Sequence, residues 1–207
     1  MQQGYVLIVE DVPDILKLLD ATLSFKGYRV VTSQNGQEAL EAIQRERPAL
    51  VITDIMMPKL DGFGLVHRLR INPETRDIPV IFLTATYVAL EDKAFALNIG
   101  VTRFIEKPVN FEKFLETVAE LFAAGAPASP PLMSESEFYE GYRQRLEKKL
   151  NQKTLQITRD ERLLGTISED EKSTFRASLK MAINERDEIK RLLDELKVRI
   201  ESTTKPE

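Results

Sequence analysis

Short apolar runs alternate with amphipathic segments along the first 122 residues of the chain. The runs begin near Tyr5, Tyr28, Leu50, Val80 and Arg103, and apolar residues at helical spacing follow each of them. Five strand–helix units in succession are typical of a parallel sheet with right-handed crossovers and helices on both faces. The pattern therefore predicts an α/β fold of the doubly wound (βα)5 type.

The run from Leu50 to Asp54 is β-branched and apolar until its last residue, which is a carboxylate. A loop containing Pro58 and ending at Gly62 follows at once. A strand of this composition is typically buried on both faces of a parallel sheet. Open α/β folds bind their ligands at the carboxyl edge of such strands. Considered by itself, a carboxylate at that edge is compatible with three roles. Asp54 is a candidate nucleophile, metal ligand or helix cap.

Other predicted strands bring polar residues to the same edge. Glu10 and Asp11 follow the first run, Thr84 ends the fourth and Lys107 follows the fifth. Neighbouring carboxylates repel each other unless a cation joins them, and oxygen donors of this kind suit Mg²⁺. A lysine and a hydroxyl beside them are typical of sites for phosphoryl transfer. Because no candidate base lies nearby in sequence, Asp54 is predicted to be the nucleophile itself.

These features closely resemble the receiver domain of two-component response regulators, over residues 5–122. The resemblance is carried by five motifs: Glu10-Asp11, the loop from Asp54 through Met56-Met57-Pro58 to Asp61-Gly62, Thr84-Ala85, Phe104, and Lys107-Pro108. It implies a receiver domain at residues 1–123 and the strand order 2-1-3-4-5. It also implies a signalling protein rather than an enzyme, one that assists its own phosphorylation and dephosphorylation.

The resemblance implies a role for each acidic position. Asp54 is expected to accept a phosphoryl group from a sensor histidine kinase or a phosphotransferase. Mg²⁺ is the implied cofactor. Asp11 and Asp54 are expected to bind it directly, Glu10 mainly through water, and Met56 through its backbone carbonyl.

The remaining motif residues are implied to sense the phosphoryl group. Lys107 is expected to pair with the phosphoryl oxygens, and the bond from Lys107 to Pro108 is expected to be cis. Thr84 is expected to hydrogen-bond the phosphoryl group and to shift towards it. Phe104 is then expected to turn inward into the space that opens, which alters the face formed by the fourth helix, fifth strand and fifth helix.

Two segments depart from the family pattern. Residues 100–103 lack the acidic pair that commonly precedes the fifth strand, and the segment from Phe111 to Phe122 contains no arginine. The sequence therefore does not support the charged dimer contacts that many DNA-binding members form on this face.

The chain changes character after the predicted receiver domain. Residues 124–133 form a linker rich in alanine and proline, semi-rigid where the prolines cluster. Ser134 with Glu137, and Ser168 with Glu171, have the spacing of capping boxes, and Gly165 lies between the two segments that they open. Residues 134–207 are therefore predicted to form two long helices joined at 165–167. One continuous helix through Gly165 is the alternative.

Both predicted helices carry an apolar stripe. The first stripe is patchy: Phe138, Tyr142, Leu146, Leu150, Ile157 and Leu164. The second alternates spacings of four and three, as in a coiled coil: Phe175, Leu179, Ala182, Arg186, Ile189, Leu193, Leu196 and Ile200. A lone hairpin has a thin core. We therefore expect a homodimer through 134–207, with Arg186 either setting the register or pointing outward.

Composition excludes several classes of protein. The absence of cysteine excludes disulfides, thiolate zinc sites and cysteine nucleophiles. No apolar run reaches the ~18 residues that cross a bilayer, and the first residues lack a signal-peptide pattern. A cytoplasmic protein without a membrane partner is expected. The net charge is −4 and neither half is basic, which argues against nucleic acid as the main partner.

The sequence leaves three function hypotheses. The first is a phosphorylation switch that controls dimerisation of the hairpin or its binding to an unknown protein output partner. The second is a nucleic-acid-binding transcriptional regulator with an unrecognised helical output domain. The third, an enzyme with a regulatory receiver, would need catalytic residues that the hairpin lacks. His67, the only histidine, is predicted to be packed or solvated in the third helix, so the hairpin cannot relay a phosphoryl group through a histidine.

Overall fold

The computed structural model describes residues 4–85, 90–124, 133–165 and 169–203. The chain divides into two compact units, Met1–Met133 and Ser134–Glu207. The division falls at the end of the predicted linker, most of which (125–132) lies outside the described residues.

Strands and helices alternate strictly in the described residues of the first unit, as the sequence predicted. Their bounds are β1 Val6–Val9, α1 Pro13–Phe25, β2 Val30–Ser33, α2 Gly36–Arg45, β3 Leu50–Asp54, α3 Gly62–Ile71, β4 Val80–Ala85, α4 Leu90–Asn98, β5 Arg103–Lys107 and α5 Phe111–Ala124. The strands form one parallel sheet in the order β2-β1-β3-β4-β5, which confirms the predicted fold class and topology.

Two cores lie on the two faces of this sheet. The first is formed by residues of α1, α5 and alternate strand positions: Val6, Ile8, Leu16, Leu19, Leu23, Leu50, Ile52, Ile81, Leu83, Phe114, Val118 and Leu121. The other face carries the intervening strand residues, among them Phe82 and Thr84, because successive side chains of a strand point to opposite faces. Phe63 of α3 and Phe95 of α4 pack over this second face.

A side chain of α3 donates hydrogen bonds to the loop after α4. Gly100, with a φ of 96°, ends α4 in the Schellman arrangement, in which backbone N–H groups donate back to carbonyls of the last turn. The buried guanidinium of Arg70 donates to the Gly100 carbonyl over N···O distances of 2.7 and 3.2 Å. Burial lowers the pKa of Arg70 to about 10, so the side chain stays charged at neutral pH.

Most element boundaries follow the sequence closely. The fifth strand begins at Arg103, as predicted, and continues to Lys107 because its pairing with β4 extends that far. The second strand begins at Val30 rather than Tyr28, where its pairing with β1 starts. Each difference arises because inter-strand pairing, and not local composition, sets where a strand begins and ends.

Two separate helices form the second unit: α6 Glu135–Leu164 and α7 Glu169–Thr203. The capping box at Ser134 and Glu137 is present in full, as predicted. Gly165 caps α6 in a right-handed backbone conformation. The predicted capping box at Ser168 and the turn at 166–168 lie outside the described residues. The helices pack against each other, so the hairpin prediction is favoured over one continuous helix.

The predicted stripes form the interface between α6 and α7. Four of the six stripe residues of α6 are buried, namely Phe138, Tyr142, Leu146 and Ile157, as are Ala182, Ile189, Leu193 and Leu196 of α7. Lys153 and the exposed Glu185 form an ion pair between the two helices, with an N–O distance of 2.6 Å. Arg186 is half-buried on the seam and pairs with Asp187 of its own helix.

The outer faces of the hairpin are polar. The exposed large apolar residues described in this unit lie singly: Leu155, Leu163, Met181 and Val198. Among the described residues, no helix combines the length and the apolar character that a membrane crossing requires.

Candidate functional site

The carboxyl edge of the sheet collects the predicted site residues. Asp54 is the last residue of β3, Glu10 directly follows β1, and Lys107 is the last residue of β5. The parallel register sets these strand ends at one level, with Thr84 of β4 between them. Asp11 follows Glu10 and is half-buried. The sheet thus brings to one edge the positions that the sequence singled out.

Lys107 lies between two carboxylates. Its Nζ is 2.6 Å from Oδ1 of Asp54 and 2.7 Å from Oε2 of Glu10. The Glu10 side chain is fully buried, while those of Asp54 and Lys107 are 15% and 23% exposed. Asp54 is therefore the more open of the two carboxylates that Lys107 contacts, and a second molecule can reach it. The bond from Lys107 to Pro108 is cis, as predicted.

Burial and neighbouring charges act in opposite directions at this edge. Burial raises the pKa of Glu10 above its ordinary value, and the Asp54 charge adds to this, although the hydrogen bond from Lys107 opposes both. Burial disfavours the charged form of Lys107, but the Asp54 charge and the hydrogen bonds to both carboxylates outweigh it and raise the Lys107 pKa. The lysine consequently stays cationic beside Asp54.

The loop after β3 orients Asp54 through its backbone. The Met56 N–H donates to Oδ2 of Asp54 over 2.7 Å. On the other side, the buried Thr53 hydroxyl donates to the Asp54 carbonyl over 2.8 Å. The Gly62 N–H donates to the Ile55 carbonyl over 2.8 Å, which closes the loop back onto the strand end.

Asp61, the other carboxylate of this loop, has a structural role. Its Oδ1 accepts a hydrogen bond from the Gly64 N–H over 2.9 Å, so Asp61 is the N-cap of α3. His67, further along α3, is buried, which agrees with the packed role predicted for it.

The two predicted switch residues occupy neighbouring strands. Thr84 is buried, and its hydroxyl makes no hydrogen bond to any residue that the structure describes. A buried hydroxyl without a partner is uncommon, and it suggests a ligand oxygen as the missing partner. Phe104 is half-buried on β5, with its ring centroid 6.1 Å from that of Phe82 in an edge-on arrangement.

The donor chemistry of this edge fits Mg²⁺. Glu10, Asp11, Asp54 and the Met56 carbonyl offer only oxygen donors, which this ion prefers. The carboxylates formally carry three negative charges against one positive charge on Lys107, an excess that a divalent cation would neutralise. In the parts of the chain that the structure describes, no group of three or more His, Asp or Glu side chains is already close enough to hold a metal.

Sequence reasoning missed the residues that support this edge from below. The sequence pattern gives no special role to Thr53, Phe63, Phe82 or Phe95. The Phe63 centroid is 5.4 Å from Phe82 and 5.5 Å from Phe95. The available signal was the position of Phe82 two residues before Thr84, which places both on one face of β4.

Comparison with known proteins agrees with this geometry. The family model described as the response regulator receiver domain matches residues 6–119. The chain belongs to the response regulator receiver-domain family. The matched segment runs from β1 into α5, within the first of the two compact units.

Curated relatives share this part of the chain. "Probable transcriptional regulator ycf27" of Porphyridium aerugineum is 40% identical over 108 residues, which are 52% of this chain and 43% of that protein. "Transcriptional regulatory protein GlrR" of Escherichia coli (strain K12) is 36% identical over 127 residues, 61% of this chain and 28% of that protein. The chain therefore spans less than half the length of these relatives.

Solved receiver structures match the same fold. Chemotaxis protein CheY4 of Vibrio cholerae has a TM-score of 0.54 at 33% identity, over 56% of this chain and 97% of CheY4. The signal receiver domain of a signal transduction histidine kinase from Syntrophus aciditrophicus has a TM-score of 0.55 at 32% identity, over 64% and 98% of the two chains.

Proposed function

We propose that this chain is a cytoplasmic response regulator that accepts a phosphoryl group on Asp54 from a sensor histidine kinase or a phosphotransferase. The observation that carries the proposal is the pairing of the Asp54 carboxylate with the Lys107 ammonium at 2.6 Å, at the carboxyl edge of the sheet. Asp54 remains partly exposed there, so a phosphorylated imidazole of a partner can approach it.

In the proposed reaction, a carboxylate oxygen of Asp54 attacks the phosphorus of the donor. A P–O bond to Asp54 forms while the P–N bond to the donor imidazole breaks, and the electron pair of that bond leaves with the imidazole. Positioning and charge neutralisation supply most of the catalysis in such transfers. Lys107 neutralises the phosphoryl oxygens, and the Met56 N–H fixes the rotamer of the attacking carboxylate.

Bound Mg²⁺ would neutralise charge on the transferring phosphoryl group. We propose Asp11, Asp54 and the Met56 carbonyl as its direct ligands, and Glu10 as a ligand through water. The burial of Glu10 beside Lys107 is consistent with an outer position for Glu10.

Thr84 and Phe104 are proposed as the switch. The Thr84 hydroxyl, which has no partner among the described residues, would donate to a phosphoryl oxygen and shift towards it. Phe104 would then turn inward. A phosphoryl group carries roughly 1.5–2 negative charges, of which one replaces the charge that the Asp54 carboxylate loses. Only contacts that differ between the two states can move the equilibrium.

The proposal is tested by incubating the full chain with a small phosphodonor such as acetyl phosphate in the presence of Mg²⁺. We expect a mass increase of about 80 Da, located by peptide mapping within the segment Leu50–Gly62. EDTA should abolish the increase. No mass increase, or an increase in another segment, would sink the proposal.

The hairpin of α6 and α7 is proposed as the output, by forming a homodimer or by binding an output protein. The seam inside one hairpin is already largely buried, so a dimer would have to form through outer faces that are mainly polar. The proposal therefore predicts an oligomeric state that responds to phosphorylation and to salt.

Light scattering with Mg²⁺, with and without beryllofluoride as a phosphoryl mimic, tests this output. A change of mass from one chain to two, or the reverse, supports dimerisation as the output. A dimer that the mimic leaves unchanged supports a fixed scaffold that a partner reads. A single chain in every condition contradicts the dimer.

A nucleic-acid-binding regulator is the second candidate, because the curated relatives are named transcriptional regulators. The balanced charge of the hairpin, 16 basic against 16 acidic residues in 134–207, speaks against it. Retention on DNA that weakens steeply with salt would favour it.

A further inference from the structure

Phe82 is a strand residue that no proposed role includes, yet it lies between the proposed switch residues. It is fully buried and precedes Thr84 by two positions, so both side chains share one face of β4. In the sheet register Phe82 is paired with Phe104 of β5. It is therefore the direct neighbour of the ring that is expected to turn.

The contact between these two rings stabilises the present position of Phe104. Their centroids are 6.1 Å apart with an interplanar angle of 80°, the edge-on geometry that aromatic pairs prefer. Phe104 is half-buried in this arrangement, and the Phe82 ring occupies part of the interior next to it.

Phe82 is itself held from the opposite side. Phe63 packs edge-on against it with centroids 5.4 Å apart and an interplanar angle of 89°, and Phe95 of α4 contacts Phe63 at 5.5 Å. Phe63 directly follows Gly62, whose N–H closes the loop after Asp54. The aromatic cluster Phe63–Phe82–Phe95 consequently touches the acceptor loop, β4 and α4.

We infer that Phe82 is a positioning residue, which holds Phe104 half exposed and sets how readily its ring turns inward. The inference rests on the proposed function for its biological meaning. The position of the Phe104 ring can be measured without any phosphoryl group. A smaller residue at 82 removes the edge-on contact and opens interior space, and both effects favour the inward ring.

The test uses 4-fluorophenylalanine incorporated at position 104 of the full chain and ¹⁹F NMR. We expect Phe82→Leu to raise the inward population by roughly two- to tenfold without any ligand, the range given by one aromatic pair. Phe114→Leu is the matched control, because Phe114 is equally buried but lies in the core on the other face. Both variants lose core volume, but only the first should move the signal.

Beryllofluoride with Mg²⁺ adds a second readout. By linkage, a variant that favours the inward ring should bind beryllofluoride more tightly by the same factor. A Phe104 signal in Phe82→Leu that coincides with the wild-type signal, or an equal shift in Phe114→Leu, overturns the inference. A wild-type ¹⁹F signal that does not change when beryllofluoride is added would instead contradict the proposed function. The ligand-free comparison of the variants would still test the role of Phe82.

Discussion

Asp54→Asn will remove phosphoryl acceptance, with a rate at least roughly a thousandfold below wild type, because an amide lacks the anionic oxygen that attacks phosphorus. The fold should survive this change. Asparagine keeps the shape of the side chain and an oxygen for Lys107, but it loses the charge that pairs with Lys107 and the acceptor of the Met56 N–H. Each loss is worth about 1 kcal/mol at this partly exposed position, and the weaker repulsion from Glu10 offsets part of the total.

Asp61→Asn is the matched control for this experiment. It removes a carboxylate from the same loop, but asparagine caps a helix as well as aspartate does. Mass spectrometry after treatment with acetyl phosphate and Mg²⁺ should show the increase in wild type and Asp61→Asn only. Full phosphorylation of Asp54→Asn, or an equal loss in Asp61→Asn, would assign the acceptor elsewhere.

Gly62→Ala will lower the free energy of unfolding by about 2–3 kcal/mol, because the added methyl group meets backbone that cannot move aside. A Cβ at this position would lie 2.5 Å from the Asp54 carbonyl oxygen and 3.1 Å from the Ile55 Cα. The strain acts directly on the residue proposed to react. A displacement of 1 Å at such a residue lowers the rate by about a hundredfold.

Gly64→Ala controls for the substitution itself. Its Cβ would meet the Cδ1 atom of Leu60, the mobile end of a flexible side chain, at 2.6 Å. Alanine is also favoured over glycine in a helix by about 1 kcal/mol. Hydrogen exchange of the β1 and β3 amides, with phosphorylation measured in parallel, should show a large loss in Gly62→Ala and little change in Gly64→Ala. Equal stability of the two variants would contradict the close approach.

The sequence predicted that the candidate residues converge, because parallel strands end at a common edge. Once the apolar runs were assigned, Glu10, Asp54 and Lys107 had to converge, and the register shows that they do. Their detailed pairing was not predictable in the same way. The resemblance assigns Lys107 to phosphoryl oxygens, whereas here its ammonium lies between Asp54 and Glu10.

The aromatic cluster and the close contact at Gly62 were not predicted from the sequence, for a different reason. Phe63, Phe82 and Phe95 belong to three elements, and their contacts depend on how α3 and α4 lie over the sheet. Periodicity predicts which face of an element is apolar, but not which residues of two elements meet. The same limit applies to Arg70, whose guanidinium reaches the loop after α4.

The hairpin was more predictable because its contacts are local. The capping box at Ser134 and the spacing of four and three along α7 located the start of α6 and the buried face of α7 correctly. The ion pair between Lys153 and Glu185 was not predicted, because the sequence does not indicate which residue of α7 lies opposite Lys153.

That ion pair favours one alignment of the hairpin, by about 0–1 kcal/mol because both side chains are partly exposed. If α7 slid along α6 by one heptad, the apolar pattern would still match, because a seam of this kind repeats every seven residues. Glu185 would then face either Leu146, which is buried, or Asp160, which has the same charge, and Lys153 would lose its partner. Sliding or separating the two helices would therefore break this pair, whereas bending or rotating them as one unit would keep it intact.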